Sequence, residues 1–203
     1  MLSSMAKEYD SSEIISEGLK QDVLWLLITV YSYVTRRRFE GLGKMSREAF
    51  VVDWVLLESA VRDIVSRLTA LDDDTRNNRS FQTLFAALKR EGLDSKRTSD
   101  LNRKIKTYRA LVNDLKVSHR NRYIAHVNTN VAVVPRVFDN PVAFEAAASM
   151  AVNLLDDIIG SKVEYIFSMA SDLKVDLRQA LSNSSMEDKE SSIVDTMNET
   201  SND

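Results

Sequence analysis

The chain of 203 residues contains no cysteine, two histidines, five glycines and two prolines. Without cysteine it has no disulfides, thiolate-bound zinc, iron–sulfur clusters or thiol nucleophiles, and two histidines are too few for a His-rich metal site. The lack of cysteine also fits a reducing compartment, so we expect a cytoplasmic protein. Scarce glycine and proline leave too few tight turns for a barrel, a sandwich or a doubly wound sheet, and therefore predict an all-α fold.

Long apolar runs are scarce as well. The most apolar stretch, residues 23–34, reads VLWLLITVYSYV and is followed by three arginines. Its twelve residues fall short of the roughly 20 that a helix needs to cross a bilayer. A buried helix is the preferred interpretation and a membrane-surface segment the alternative. Residues 1–16 are polar and predict no signal peptide, so we expect a soluble chain without a membrane partner.

The net charge of −3 conceals an uneven distribution. Residues 183–203 carry six acidic residues and one lysine, and they are rich in Ser, Asn and Thr, which predicts a disordered acidic tail. Residues 89–122 carry eleven basic and four acidic residues, a net charge of +7. Such a stretch attracts RNA electrostatically, but it is equally typical of a solvated helix face.

Helical periodicity predicts a single-domain bundle of about five helices over residues 10–182. The helices are expected over about 12–38, 46–70, 80–91, 99–127 and 141–181, the last with a bend near Gly160. Ser46 resembles an N-cap, and Gly92 stands where a helix C-terminus favours glycine. The second helix is expected to bury Phe50 and Trp54 with the apolar residues that follow them. Residues 131–137 are strand-like, although Pro135 favours an extended crossing.

The fourth helix carries the candidate chemistry. Its apolar positions alternate in steps of four and three, and therefore share one face: Leu101, Ile105, Tyr108, Val112 and Leu115. The same stepping continues through His119, Arg122 and His126, and Tyr123 lies one turn after His119. A core-facing stripe that becomes cationic should open into a cleft, meet acidic residues or meet another subunit, because unpaired buried charge is costly.

Structural explanations of the same residues remain open. A histidine near a helix C-terminus is often only a favourable capping or dipole contact. Arg122 would then pair with an acid of the second helix such as Glu58. On this interpretation the chain is a helical interaction protein in which His126 caps or packs.

Residues 119–126, HRNRYIAH, resemble the motif of the HEPN superfamily, an arginine followed by four to six residues and a histidine. Arg120 and His126 match with five residues between them, Asn121 fits the polar residue that often follows the arginine, and Ala125 precedes the histidine as in many members. Residues 63–69, DIVSRLT, with the acids and short helix that follow, are similar to the abortive-infection branch. Together the two resemblances span residues 50–128.

The resemblance implies a HEPN-like homodimer with the two motif helices facing each other across a cleft. Active members are metal-independent endoribonucleases of phage-defence and toxin–antitoxin systems. Carried onto this chain, His126 acts as general acid or base, Arg120 holds the scissile phosphate and Asn121 positions it. RNA is then the substrate, cleaved through attack of its 2′-hydroxyl, and the products are a 2′,3′-cyclic phosphate and a 5′-hydroxyl. No cofactor or metal is implied.

Two features depart from the simplest form of this hypothesis. On a straight helix Arg120 lies about 120° around from His126, whereas Arg122 lies about 40° away, so His119, Arg122 and Tyr123 are kept as supporting or RNA-binding residues. Some members carry a tyrosine two residues after the histidine, which a companion nucleotidyltransferase modifies. Asn128 occupies that position here. Any antitoxin is therefore expected to be a separate protein acting in another way.

Other functions were weighed against a ribonuclease. A non-catalytic HEPN-like module that binds RNA, a nucleotide or a protein partner through the same cleft is the alternative. Glycine is too scarce for a phosphate loop or a dinucleotide fingerprint, and neither G-x-S-x-G nor H-E-x-x-H occurs. Residues 72–74, three aspartates, could recruit magnesium, but adjacent side chains splay apart and more often end a helix.

Overall fold

A computed structural model of the chain describes residues 11–75, 78–116, 142–168 and 174–182. In chain order the elements are α1 (Ser12–Arg37), a 3₁₀ turn (Leu42–Lys44), α2 (Arg47–Ala70), α3 (Phe81–Arg90), α4 (Ser95–Leu115), α5 (Val142–Ile159), β1 (Ile166–Ser168) and β2 (Lys174–Asp176). Residues 177–182 are again helical. The predicted all-α bundle is confirmed, with one small two-stranded sheet added to it.

Serine side chains start the first three helices. The hydroxyls of Ser11, Ser46 and Ser80 each accept a hydrogen bond from the backbone N–H three residues later, at 3.4, 3.3 and 3.2 Å. At α3 the bond is reciprocated, because the backbone N–H of Ser80 donates to Thr83 Oγ1 at 2.9 Å. These caps satisfy N–H groups that have no partner inside the helix. The starts predicted for the first three helices are therefore confirmed to within a residue or two.

The α3–α4 connection combines a confirmed stop with a corrected start. Gly92 has φ +98° just after α3, and the N–H of Leu93 donates to Leu88 O at 3.1 Å, as in a Schellman motif. The next helix begins at Ser95, not near Ser99 as predicted. Asp94 is the reason, because its carboxylate accepts a hydrogen bond from the N–H of Arg97 at 2.9 Å and caps the helix earlier.

The core is formed by one face of each helix. The apolar stretch at residues 23–34 is part of α1 and is buried at six of its positions, as a buried helix predicts, although Trp25 is 53% exposed. Helix α1 packs against α2, α3 and α5. Tyr108 of α4 lies in the same core, with its ring edge-on to Phe81 at 5.1 Å and its hydroxyl donating to Leu68 O at 2.9 Å. Among the described residues, no helix is both long and apolar enough to span a membrane.

The C-terminal part of the bundle differs from the prediction of one helix reaching residue 181. Helix α5 ends at Ile159, because Gly160 adopts φ +86°, and the chain then forms the antiparallel pair β1–β2 with Phe167 opposite Val175. Asp156 fixes this reversal. Its carboxylate accepts from the N–H of Val163 at 2.9 Å and from Arg178 Nη2 at 2.7 Å to both oxygens. Gly160 is therefore a helix stop and not a bend.

The beginning of α2 also differs from expectation. Phe50, predicted to be a core residue, is 40% exposed and packs beside Trp54, which is half-buried. The inward position near it belongs to Asp53, a buried carboxylate that forms an ion pair with Arg36 of α1. The buried apolar stripe of α2 therefore starts at Leu57.

Several predictions concern residues that the structure does not describe. The tail at 183–203, the extended crossing at 131–137 and the residues before position 11 lie outside the described ranges. The proposed domain limits of 10 and 182 and the disordered acidic tail therefore stay predictions. Helix α5 starts at Val142, directly after Asn140 and Pro141, where a helix start was expected.

Replacing Gly92 by alanine should destabilise the fold. Its φ of +98° strains any residue with a Cβ, although no heavy atom lies within 4 Å of the site. We expect the free energy of unfolding to fall by about 1 kcal/mol, measured by urea denaturation. Gly43→Ala is the matched control, because that site is equally open and has no positive φ. Equal losses in the two variants would contradict the assignment.

Alkaline pH should unfold the chain through its buried tyrosines. Burial raises the pKa of Tyr33, Tyr108 and Tyr165 above the ordinary value of about 10. The unfolded chain therefore loses these protons at a lower pH than the folded chain. The free energy of unfolding has its full value below about pH 10 and decreases as the pH rises further. Phenolate absorbance followed together with circular dichroism checks this. Titration of all tyrosines in one step near pH 10, with the helices intact, would contradict it.

Candidate functional site

The predicted catalytic residues follow directly after α4. Arg120, Asn121 and His126, with His119, Arg122 and Tyr123, all belong to residues 117–141, which lie outside the described ranges. Their predicted roles therefore stay predictions. What the structure does describe is the helix that leads to them, the helix that follows them, and the groups that hold both.

Helix α4 has the predicted register. Leu101, Ile105, Tyr108 and Val112 are at most 2% exposed, so the steps of four and three do mark the core-facing stripe. Leu115 at its end is half-buried. Helical dihedral angles continue through Lys116, three residues before His119. The apolar stripe that was continued to His119, Arg122 and His126 is therefore correct over its described length.

A buried carboxylate holds the C-terminal half of α4. Asp72, just after α2, is 1% exposed and receives Arg109 Nε at 3.0 and 3.1 Å and Lys116 Nζ at 2.6 Å. Gln82 of α3 adds a hydrogen bond at 3.2 Å. Both cations also donate to the Asp72 carbonyl oxygen. One acidic residue thus ties the ends of α2 and α4 to the start of α3, immediately before the predicted catalytic segment.

This arrangement accounts for the three consecutive aspartates without a metal ion. Asp72 binds two cations, and Asp73 accepts from the N–H of Thr75 and from Asn78 Nδ2, both at 2.9 Å. Asp74 is exposed and lies 3.7 Å from Arg109 Nη2. Within the described ranges no group of three or more acidic or histidine residues is placed to bind a metal ion. The turn interpretation of residues 72–74 is therefore supported.

Four of the eleven basic residues at 89–122 hold α4 against the rest of the bundle. The Asp72 carboxylate forms ion pairs with Arg109 and Lys116. Arg97 Nη2 donates to the carbonyl oxygen of Ile158 at 3.0 Å. Lys104 bridges Asp100 and Asp157 at 3.2 and 2.9 Å. Such contacts tether α4 to α2 and α5, and the carboxylates of Asp72 and Asp157 offset part of the positive charge of the stretch. The excess positive charge read from the sequence therefore overstates the attraction for a polyanion.

A second polar cluster lies where the chain returns into the bundle. Glu145, in the first turn of α5, is 4% exposed, and its Oε1 lies 4.0 Å from Arg38 Nη2 at the end of α1. Burial raises the pKa of the neighbouring Tyr33, while the Arg37 charge and hydrogen bond act in the opposite direction. Glu145 and Glu58 raise it further. Glu145 thus places α5 beside the end of α1 four residues after the undescribed segment ends.

An open groove of about 310 Å³ includes part of the second segment on which the resemblance rests. Its wall contains Asp63, Ser66 and Arg67 of α2, whereas Ile64, Val65 and Leu68 of that segment belong to the core. The charges in the groove are balanced pairwise. Arg67 Nε lies 2.7 Å from Asp63, and Arg79 Nε lies 3.3 Å from Asp22 of α1. Pairing of this kind leaves little net field for a charged ligand.

Sequence reasoning missed both acidic residues that hold the ends of the 117–141 segment. Asp72 was considered only as a metal or turn residue. Glu145 was not singled out, although it is the one charged residue in the apolar run AFEAAASMA, where an acid needs a partner. That isolation is a signal that the sequence did contain.

No family model, curated protein or solved structure matches the chain. The resemblance to the HEPN superfamily therefore rests on residues 119–126 and 63–69 alone.

Substitution of Asp72 by asparagine should destabilise the bundle. The amide keeps the shape of the side chain but removes the charge that Arg109 and Lys116 share. Because these two side chains are 42% and 23% exposed, water replaces part of the loss. We expect a decrease of about 1–2 kcal/mol in the free energy of unfolding, measured by urea denaturation.

Asp74→Asn is the matched control. It makes the same chemical change beside the same arginine, but the Asp74 side chain is 79% exposed. Its effect should stay within about 0.5 kcal/mol. Equal destabilisation by the two substitutions would show that Asp72 has no special role in holding α4.

Proposed function

We propose that the chain is a metal-independent endoribonuclease of a phage-defence or toxin–antitoxin system, acting as a homodimer. The observation that carries the proposal is the set Arg120, Asn121 and His126, which matches the HEPN motif and follows a helix whose apolar register, when continued, reaches His126. Arginine, a polar amide and histidine can together cleave a phosphodiester without a metal, because they supply charge stabilisation, positioning and proton transfer.

The way in which α4 is held supports this proposal. A catalytic group works best on a rigid element, because small displacements of a reacting group cost large factors in rate. Asp72 fixes α4 as far as Lys116, and the cluster of Glu145 with Arg38 holds the start of α5. The described residues just before and after the proposed catalytic segment therefore belong to helices that pack in the core.

In the proposed reaction His126 accepts the proton of an RNA 2′-hydroxyl, and the 2′-oxygen then attacks the adjacent phosphorus. The bond from phosphorus to the 5′-oxygen breaks, and that oxygen takes up a proton. In a dimer the histidine of the second copy is available for this second transfer. Arg120 binds the phosphate oxygens as negative charge develops, and Asn121 positions them. Histidine suits both transfers because it ordinarily titrates near neutral pH.

The first experiment is cleavage of RNA by the purified chain in EDTA, with His126→Ala compared with His119→Ala. These are the only two histidines of the chain, and they lie close together in the sequence. Loss of a general acid–base should lower the rate by at least about 100-fold in His126→Ala, whereas His119→Ala, which removes only a supporting or RNA-binding residue, should cause a clearly smaller loss. Equal activity in wild type and His126→Ala would contradict the assignment, as would a requirement for a divalent cation.

A second comparison separates the two candidate phosphate-binding residues. The motif selects Arg120 and the geometry of a straight helix selects Arg122, so Arg120→Ala should cause the larger loss in rate. A larger loss in Arg122→Ala would assign the phosphate to the helix face of His126. If neither wild type nor any variant cleaves RNA but wild type binds RNA or a nucleotide, the non-catalytic module is the better description.

A further inference from the structure

An open groove of about 430 Å³ lies between α1, α5 and the helical residues 177–182. Three of the residues that line it are apolar and at most 4% exposed: Leu27 of α1, Val152 of α5 and Leu181. They form an apolar floor. We call this site the α5 groove. Its volume falls in the range of pockets that hold small organic ligands.

An ion pair connects two walls of the α5 groove. Arg178 Nη2 donates to both carboxylate oxygens of Asp156 at 2.7 Å, and Arg178 Nε donates to the carbonyl oxygen of Val163 at 2.8 Å. The guanidinium also lies 5.4 Å from the centroid of the Tyr165 ring. These contacts hold Arg178 in place. Because the two charges cancel, the pair adds no net charge to the groove.

Among the described residues that line the groove, the remaining charge is a single positive one. Lys162 forms no ion pair and no side-chain hydrogen bond within the described ranges. Ser149 and Asn153, one turn apart on α5, also line the groove, and their side chains have no hydrogen-bond partner in the same part of the chain. An ammonium, a hydroxyl and an amide can all donate hydrogen bonds. Together they match an acceptor group that carries one negative charge.

A neighbouring pocket of about 560 Å³ has a different balance of charge. It shares Lys162 and Arg178 with the α5 groove, but Glu164 and Asp176 also line it. An anion in this pocket would face two acidic residues. In the α5 groove the only acid among the described lining residues is Asp156, which Arg178 neutralises. An acidic group of a ligand should therefore lie beside Lys162 on the α5 side.

We propose that the α5 groove binds a small organic monocarboxylate with an apolar body. Lys162, Ser149 and Asn153 hold the carboxylate, and the apolar floor contacts the rest of the molecule. One ion pair and a small apolar contact area give a dissociation constant on the order of 100 µM. Binding at this groove does not depend on ribonuclease activity.

Isothermal titration calorimetry of the full chain with octanoate and with phenylacetate tests the proposal. Octanamide and phenylacetamide are the matched neutral ligands, because they keep the apolar body and an acceptor oxygen but lack the charge. Each carboxylate should bind at least about tenfold more tightly than its amide, since only the carboxylate forms an ion pair with Lys162. Equal affinities overturn the proposal. Absence of saturable binding by both carboxylates up to about 5 mM overturns it as well.

Two pairs of variants locate the site. Lys162→Gln should weaken carboxylate binding at least about tenfold, whereas Lys174→Gln changes another exposed lysine that does not line the groove and should bind like wild type. Asn153→Asp should weaken binding as well, because it places a carboxylate beside that of the ligand. Asn102→Asp, at an exposed position of α4, is its matched control. Unchanged binding in Lys162→Gln and Asn153→Asp overturns the assignment to this groove.

The lysine pair also distinguishes a free ligand from other occupants. If a part of the chain outside the described ranges or a second copy of the chain fills the groove, Lys162→Gln should lower the melting temperature of the ligand-free chain, and Lys174→Gln should not. That result overturns the proposal. Equal melting temperatures, together with weaker carboxylate binding in Lys162→Gln, support it.

Discussion

The attachment of Asp72 to Arg109 and Lys116 is the contact on which the arrangement of three helices depends. A carboxylate with 1% exposure is stable only if its charge is compensated, and here both cations come from α4 while the amide of Gln82 comes from α3. The direction of α4 is thereby set relative to the end of α2. Its apolar stripe brings Tyr108 against Leu68 and Phe81, so electrostatic and apolar contacts fix the same register.

This attachment also holds the last residues described before the proposed catalytic segment. Lys116 is the last residue described before position 117. Its side chain binds Asp72, and its backbone N–H donates to carbonyl oxygens of α4. The chain re-enters at Val142, and Glu145 lies beside Arg38 within one turn. Two buried acidic residues, Asp72 and Glu145, therefore contact the described parts of the chain before and after residues 117–141.

Local sequence was sufficient where local interactions decide the structure. The serine caps of α1, α2 and α3 and the glycine after α3 act within a few residues, and these boundaries were predicted correctly. The start of α4 was missed because Asp94 was not recognised as its cap. The end of α5 was missed because Gly160 is followed by a sheet pair whose stability comes from Asp156 and Arg178, 22 residues apart.

The same difference between local and long-range interactions applies to the candidate site. The register of α4 follows from spacing alone, whereas the burial of Asp72 and Glu145 depends on helices distant in the sequence. Periodicity on α2 identified an inward stripe, but it placed Phe50 in it and gave no account of Val51, Val52 and Val55. When a helix carries apolar residues on two sides, the hydrophobic periodicity of its sequence identifies one side only if the other is left out of account. Assigning both sides requires knowing which of them α1 and α4 cover, and only the packed bundle supplies that.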